Sequence, residues 1–295
     1  MKTAFKVFIA ILIVGLVLGI IGLAITGFDL NKFKSDPNST KVEKQETLGS
    51  KSQITIDAEN NEISFSVSSD DDIHITYYES DDYIVSYQAD EEKIDISAQY
   101  KKRWLTWGVT KNHPITVSLP SAFNGSLDAQ TNNGKISINS SGVVFSGITF
   151  TTNNGKISLD NVVCEGNIDV QSDNGEISFK NVEGKNLMAD VNNGKVKGRN
   201  IKGDSIVFGT DNGEIDATDI LSPHIELSSS NGNIKGTIIG NSDDYKAVLS
   251  VSLGNIKYNA QSMGSQTINP SAPKYIKAKT SMGSVDISFK EPPLG

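Results

Sequence analysis

An Asn-Gly dipeptide returns along this chain with a nearly constant period. It stands at Asn133, Asn154, Asn174, Asn193, Asn212 and Asn231, separated by 21, 20, 19, 19 and 19 residues, and degenerate copies follow at Leu253-Gly254 and Met282-Gly283. A fixed period near 20 makes each unit one supersecondary element that needs its neighbours to bury its apolar side. Apolar residues hold fixed offsets from the anchor. Six before it stand Leu127, Ile148, Ile168, Leu187, Ile206 and Ile225; four before, Ala129, Phe150, Val170, Ala189, Phe208 and Leu227. Three after stand Ile136, Ile157, Ile177, Val196, Ile215 and Ile234; eight after, Val162, Val182, Ile201, Ile220 and Ile239 in the regular copies. Polar residues fill the positions between. Period-two alternation on both sides of Asn-Gly means two short strands per unit, with a corner such as Asn161-Val162 or Asn181-Val182 returning the chain. Asn60-Asn61 fits the same template, with Ile54, Ile56, Ile63 and Phe65 at the right offsets.

Two architectures fit. Asn-Gly between alternating strands is a strong hairpin signal, and a hairpin on Asn154-Gly155 would pair Phe150 with Leu159. In a β-solenoid, each unit is instead one coil, its apolar columns stack inside, and its Asn residues stack at one corner. The solenoid is the better reading, because a long meander of hairpins would leave one apolar face uncovered. Two residues past the anchor, Lys156, Glu176, Lys195 and Glu214 alternate in sign, which suits rungs about 4.8 Å apart. The fold class expected is all-β: a β-solenoid of ~20-residue Asn-Gly repeats, preceded by one N-terminal transmembrane helix.

Residues 66–122 depart from the template. Ile73/Ile75, Tyr83/Val85/Tyr87, Ile94/Ile96 and Ile115/Val117/Leu119 alternate cleanly but over longer, charged connections, and read as strands leading into the regular coils. The expected organisation is an anchor at 1–34, a polar tether at 35–51, an irregular β region at 52–122, regular coils at 123–290 and a tail at 291–295.

Val7 to Phe28 forms a run of 22 residues without a charge, long enough to span a bilayer. It exceeds a signal-peptide core, and Ala24-Ile25-Thr26 is a poor cleavage site, so an uncleaved anchor is expected. No Cys near its end supports a lipoprotein anchor. Lys2 and Lys6 nearly balance Lys32 and Lys34 across the span. The free amino terminus and the acids after the span, Asp29 and Asp36, favour a cytoplasmic N-terminus with the β domain outside the cell membrane.

The chain carries 27 basic and 35 acidic residues, for −8, yet residues 59–95 alone hold twelve acids against Lys93, for −11. The acidity argues against nucleic-acid affinity. A single cysteine, Cys164, excludes an intramolecular disulfide. His74, His113 and His224 match no metal spacing, and Asp-Asn-Gly-Glu at 173–176 and 211–214 lacks the acid pattern of a calcium loop. No cofactor is expected.

At this point the chain resembles the bacterial putative-adhesin family of β-strand repeat proteins, a domain of unknown function with members among Lia-type envelope-stress proteins of Gram-positive bacteria. The resemblance rests on the leading span, the tether, ITIDAENNEISF, DDIHITYYESDDYIVSY, ITVSLPSAFNGSLDAQTNNGKISI and the later NNGKISL and DNGEISF copies, over roughly residues 50–290. It implies a right-handed β-helix-like fold, a surface location and adhesion, and it carries over no site residues.

Two clusters are candidate binding surfaces. Asp70, Asp71, Asp72, Asp81 and Asp82 head an acidic segment that would attract cations or cationic peptides, with a solvated loop as the plain alternative. Lys101, Lys102, Arg103, Trp104 and Trp107 form a basic-aromatic cluster suited to anionic lipid or to stacking on glycan. No nucleophile-base-acid pattern or phosphate loop is visible. The expected function is non-catalytic binding in adhesion or envelope stress, with cell-wall glycan, a cationic peptide or an envelope membrane protein as partner. The alternatives are a polysaccharide-active enzyme on a β-helix and a passive scaffold for a membrane partner.

Overall fold

Residues on either side of each Asn-Gly form two strands of one coil, and equivalent strands of successive coils pair in parallel. In the computed structural model, which describes residues 39–47, 51–80, 83–100 and 113–291, 22 strands form one curled sheet. Ile148 sits opposite Ile168 and Phe150 opposite Val170, in register and parallel. The register continues with Leu187 opposite Ile206 and Ala189 opposite Phe208, and then with Ile206 opposite Ile225. The hairpin alternative, which needs Phe150 opposite Leu159, is excluded. Among the described residues no helix is long and apolar enough to cross a membrane. The expected span at 1–34 lies outside them.

The apolar columns form the core. Ile148, Ile168, Leu187, Ile206 and Ile225 are each at most 2% exposed. Phe179 and Phe208 stack in this interior at 5.3 Å with their rings 5° apart, and Phe65 and Phe150 do so at 5.5 Å and 6°. Such offset ring pairs add to the stabilisation that their buried area supplies. The column eight past the anchor needs one correction: Ile238, not Ile239, is buried. The register shifts between Ala217 and Ile220, so that Ile220 faces Ile238. The preceding coils turn this corner through a left-handed residue, at Asn161, Asn181, Asn200 and Asp219 (φ 54, 54, 53 and 62°). Asn and Asp tolerate that conformation best among non-glycine residues. The coil at 231–240 has no left-handed residue between Gly236 and Ile238, so plain alternation carries Ile238 inward one residue early.

The two corners are bound by amides. Asn133 donates to Asn60, and Asn154, Asn174, Asn193, Asn212 and Asn231 each donate to the Asn one coil before, at 2.8, 2.9, 3.1, 3.0 and 2.9 Å. Asn161, Asn181 and Asn200 continue a second ladder from Asn139. The glycine of Asn-Gly is needed for close approach. A Cβ on Gly213 would stand 1.6 Å from the Gly194 carbonyl oxygen, and one on Gly175 1.9 Å from that of Gly155. An inward hydroxyl caps these carbonyls: Thr152, Thr210 and Ser229 donate to the oxygens of Gly134, Gly194 and Gly213 at 3.2, 3.1 and 3.1 Å. Val191 breaks that column.

Both ends of the stack depart from chain order. The coil at 53–67 pairs with 126–139 on one side and with 93–119 on the other. The described strands between residues 72 and 119 therefore do not lead into the regular coils; they lie on the far side of the coil at 53–67. At the far end, Lys274–Met282 lies between His224–Asn231 and Tyr245–Leu253, so the degenerate copy at Met282 precedes the one at Leu253 in space. The first and last coils by sequence are each held on two sides. Antiparallel strands cover the outermost coils, with 72–79 against 115–119, 83–89 against 93–100, 266–268 against 245–253 and 261–263 against 256–258. A covered edge does not template further pairing. The segment read as a tether contains one more such strand, Thr40–Thr47, antiparallel to Asp72–Glu79. Its Lys and Glu residues hide the pattern, because only Val42 and Glu46 are partly buried while the rest of the strand is exposed.

Candidate binding surface

The acidic segment sits at the end of the stack formed by 93–119. Asp70, Asp71 and Asp72 make the turn from Ile63–Val67 into Asp72–Glu79. The Asp70 carboxylate accepts the Ser68 hydroxyl at 2.8 Å and the Asp72 N–H at 3.1 Å, and lies 2.7 Å from His74 Nε2. These hydrogen bonds, led by that from His74, hold its carboxyl below the usual value. Asp90 builds the next turn in the same way, accepting from the N–H groups of Glu92 and Lys93. Asp72 takes a hydrogen bond from Gln45 at 2.6 Å. Asp71 is exposed, and its carboxylate has no such tie among the described residues. Part of the acidity thus shapes turns, and part faces solvent. Asp81 and Asp82 lie outside the described residues, as do Lys101, Lys102, Arg103, Trp104 and Trp107.

Aromatic side chains back this end. Tyr83 stacks on His113 at 5.2 Å and meets Tyr100 at 4.9 Å. Tyr77 stacks on Tyr87, whose hydroxyl donates to Glu46 of the strand at 40–47, with Lys44 5.7 Å above the same ring. Burial pushes the Tyr83 phenol well above its usual value, so it stays neutral.

Sequence reading missed a groove of about 570 Å³ at the same end, lined by Asp57, Glu59, Ile84, Ser86, Tyr100 and Asn132 among others. Ile84 is 50% exposed there. Asp57 accepts from Gln130 at 2.9 Å, and Glu59 from the Tyr100 N–H at 3.0 Å. On the same outer face, desolvation raises the Asp128 carboxyl, opposed by Lys93 and reinforced by Asp57. The groove therefore combines carboxylates with an apolar floor. The available signal was that Asp57 and Asp128 occupy outward positions of a strand, but which coils adjoin was not legible.

The middle of the stack is neutralised internally. Lys156 and Lys197 both reach Glu176, at 2.7 and 2.6 Å, and Lys195 reaches Glu214 at 2.9 Å. The alternation in sign expected from sequence is realised in its two outer steps, while Glu176 takes Lys197 as its second partner. Cys164 is buried, its thiol pushed up by desolvation. Among the described residues no cluster of His, Cys, Asp and Glu is arranged to hold a metal.

Residues 51–291 match the model of the family described as Toastrack DUF4097. The chain belongs to the Toastrack DUF4097 family. Its fold is similar to that of a putative adhesin from Bacteroides fragilis, at 14% identity and a TM-score of 0.51, covering 85% of this chain and 97% of that one. A putative adhesin from Parabacteroides merdae aligns at 14% identity and TM-score 0.47 over 87% and 98% of the two chains. A putative lipid binding protein from Parabacteroides distasonis aligns at 13% and 0.46 over 86% and 98%. No curated protein sequence matches the chain.

Proposed function

We propose that this Toastrack DUF4097 protein is a single-pass membrane protein, anchored by residues 1–34 with its N-terminus in the cytoplasm, whose β-solenoid acts outside the cell by binding rather than catalysis. Its role is in adhesion or in the response of the envelope to stress. The observation that carries this reading is the acidic groove at the end of the stack nearest the anchor in sequence, where Asp57 and Glu59 line the same wall as exposed Ile84. Carboxylates beside an apolar floor suit a cationic amphipathic peptide, which would be drawn in electrostatically and held by its apolar residues. Elsewhere the outward side chains are largely tied to each other across coils, which suits a rigid support.

The test is binding of a fluorescent cationic amphipathic peptide to the detergent-solubilised full-length protein over a salt series. Affinity should fall steeply with salt and should weaken in the Asp57→Asn/Glu59→Gln double variant. Binding that is unchanged in the double variant, or is seen only with purified peptidoglycan or teichoic acid, would refute the peptide reading in favour of glycan recognition along the outer faces.

A further inference from the structure

The chain contains a seventh Asn-Gly, at Asn124-Gly125, nine residues before the anchor Asn133 and outside the period. Asn-Gly is the dipeptide most prone to spontaneous deamidation, because glycine leaves the following backbone nitrogen unhindered. That nitrogen attacks the Asn side-chain carbonyl carbon and forms a C–N bond. The C–NH2 bond breaks, ammonia leaves, and a five-membered succinimide remains. Water then opens the ring at either carbonyl, giving aspartate or isoaspartate. The side chain must swing onto the backbone nitrogen, and that nitrogen must be free of its hydrogen-bond acceptor.

The six repeat Asn residues are held against the first movement, and several of them against both. Each carboxamide donates to the one before it, and all but Asn231 also accept from the one after. Three of the glycine nitrogens are engaged as well: Gly155, Gly213 and Gly232 donate to the carbonyls of Asn174, Asn231 and Met282 at 3.1, 3.0 and 2.8 Å. Asn124 differs. It is exposed, and its carboxamide makes no hydrogen bond among the described residues. Gly125 accepts from Ser146 through its carbonyl, while its N–H has no backbone acceptor among the described residues.

We infer that Asn124 is a site of spontaneous deamidation in the folded protein, and that the amide ladder shields the six repeat Asn-Gly dipeptides from the same reaction. The products matter at this position. Isoaspartate inserts an extra backbone carbon just before Gly125, which is pressed so closely on Ser52 that an added Cβ would lie 2.5 Å from its carbonyl oxygen. The modification therefore strains the joint between the out-of-order coil at 53–67 and the first regular one. Asn231 is the weakest member of the ladder, because Met282 occupies the next rung and offers no amide donor to its side-chain oxygen.

The full-length protein is incubated at pH 8.5 and 37 °C and followed by peptide mapping with mass spectrometry, with isoaspartate scored by methyl transfer from a labelled donor using protein isoaspartyl methyltransferase. Loss of amide at Asn124 should outpace that at Asn154 or Asn212 by on the order of a hundredfold, the factor set by two amide bonds and one backbone bond. In denaturant, all seven sites should react at similar rates. Asn124→Gln should abolish the early product, and Met282→Asn, which extends the ladder, should slow Asn231 alone. Repeat sites that deamidate in the native state as fast as Asn124, or an Asn124 that stays intact while they react, would overturn the inference.

Discussion

Replacing Gly213 by Ala tests whether the Asn-Gly glycine is required by coil spacing or by a turn conformation. The new Cβ would lie 1.6 Å from Gly194 O and 3.1 Å from Thr210 Oγ1. Relief requires the two coils to part at this corner by more than an ångström. Bonds that span the corner would be stretched beyond use. They include Val196 N to Glu214 O at 3.0 Å, the Asn212–Asn193 amide at 3.0 Å, and the Thr210 hydroxyl on Gly194 O at 3.1 Å. Losing these three at about 1 kcal/mol each gives a destabilisation of roughly 3 kcal/mol, and overpacking strain acts in the same direction. For a domain of this size that corresponds to a Tm lower by about 6–12 °C. Gly264→Ala is the control, because a Cβ there meets nothing within 4 Å. Urea unfolding followed by circular dichroism measures both. A Gly213→Ala protein as stable as Gly264→Ala would refute the close-approach argument.

The inward hydroxyl column predicts opposite signs for two exchanges: Thr210→Val should cost about 1 kcal/mol by leaving the Gly194 carbonyl uncapped, while Val191→Thr should be neutral or stabilising by up to about 1 kcal/mol, both read by urea midpoints. Desolvation pushes the Glu176 carboxyl up, but Lys156 and Lys197 together outweigh it and leave it below its ordinary value of 4.5. Its contribution is present above pH 4.5 and lost as pH falls through the lower folded value, so Glu176→Gln should be less stable than the parent at pH 7 and no less stable at pH 3. The uncleaved span predicts a membrane-fraction protein whose amino-terminal sequence includes residues 1–24; secreted material beginning between residues 25 and 35 would disprove the anchor.

The repeat made the coil legible without coordinates. Strand alternation is local, so the offsets of Ile, Leu, Val and Phe from each Asn-Gly already name the inward faces, and a constant period lets equal faces meet in register. The corner Asn was legible for the same reason, since each amide finds its neighbour one period away. The column of Thr and Ser two before the anchor was present too, but a polar residue on an apolar face reads as outward until the glycine carbonyl it caps is seen. Coil order at the two ends belongs to tertiary structure alone. Nothing local in 53–67 says that 93–119 will lie on its far side, or that 274–282 will slip in ahead of 245–253. Those placements come from covering the open edges of the outermost coils, a demand of the whole stack. Because they decide which outward residues become neighbours, they also decide the groove: Asp57 and Asp128 lie 71 positions apart in the chain and share a face only because the coils that carry them adjoin.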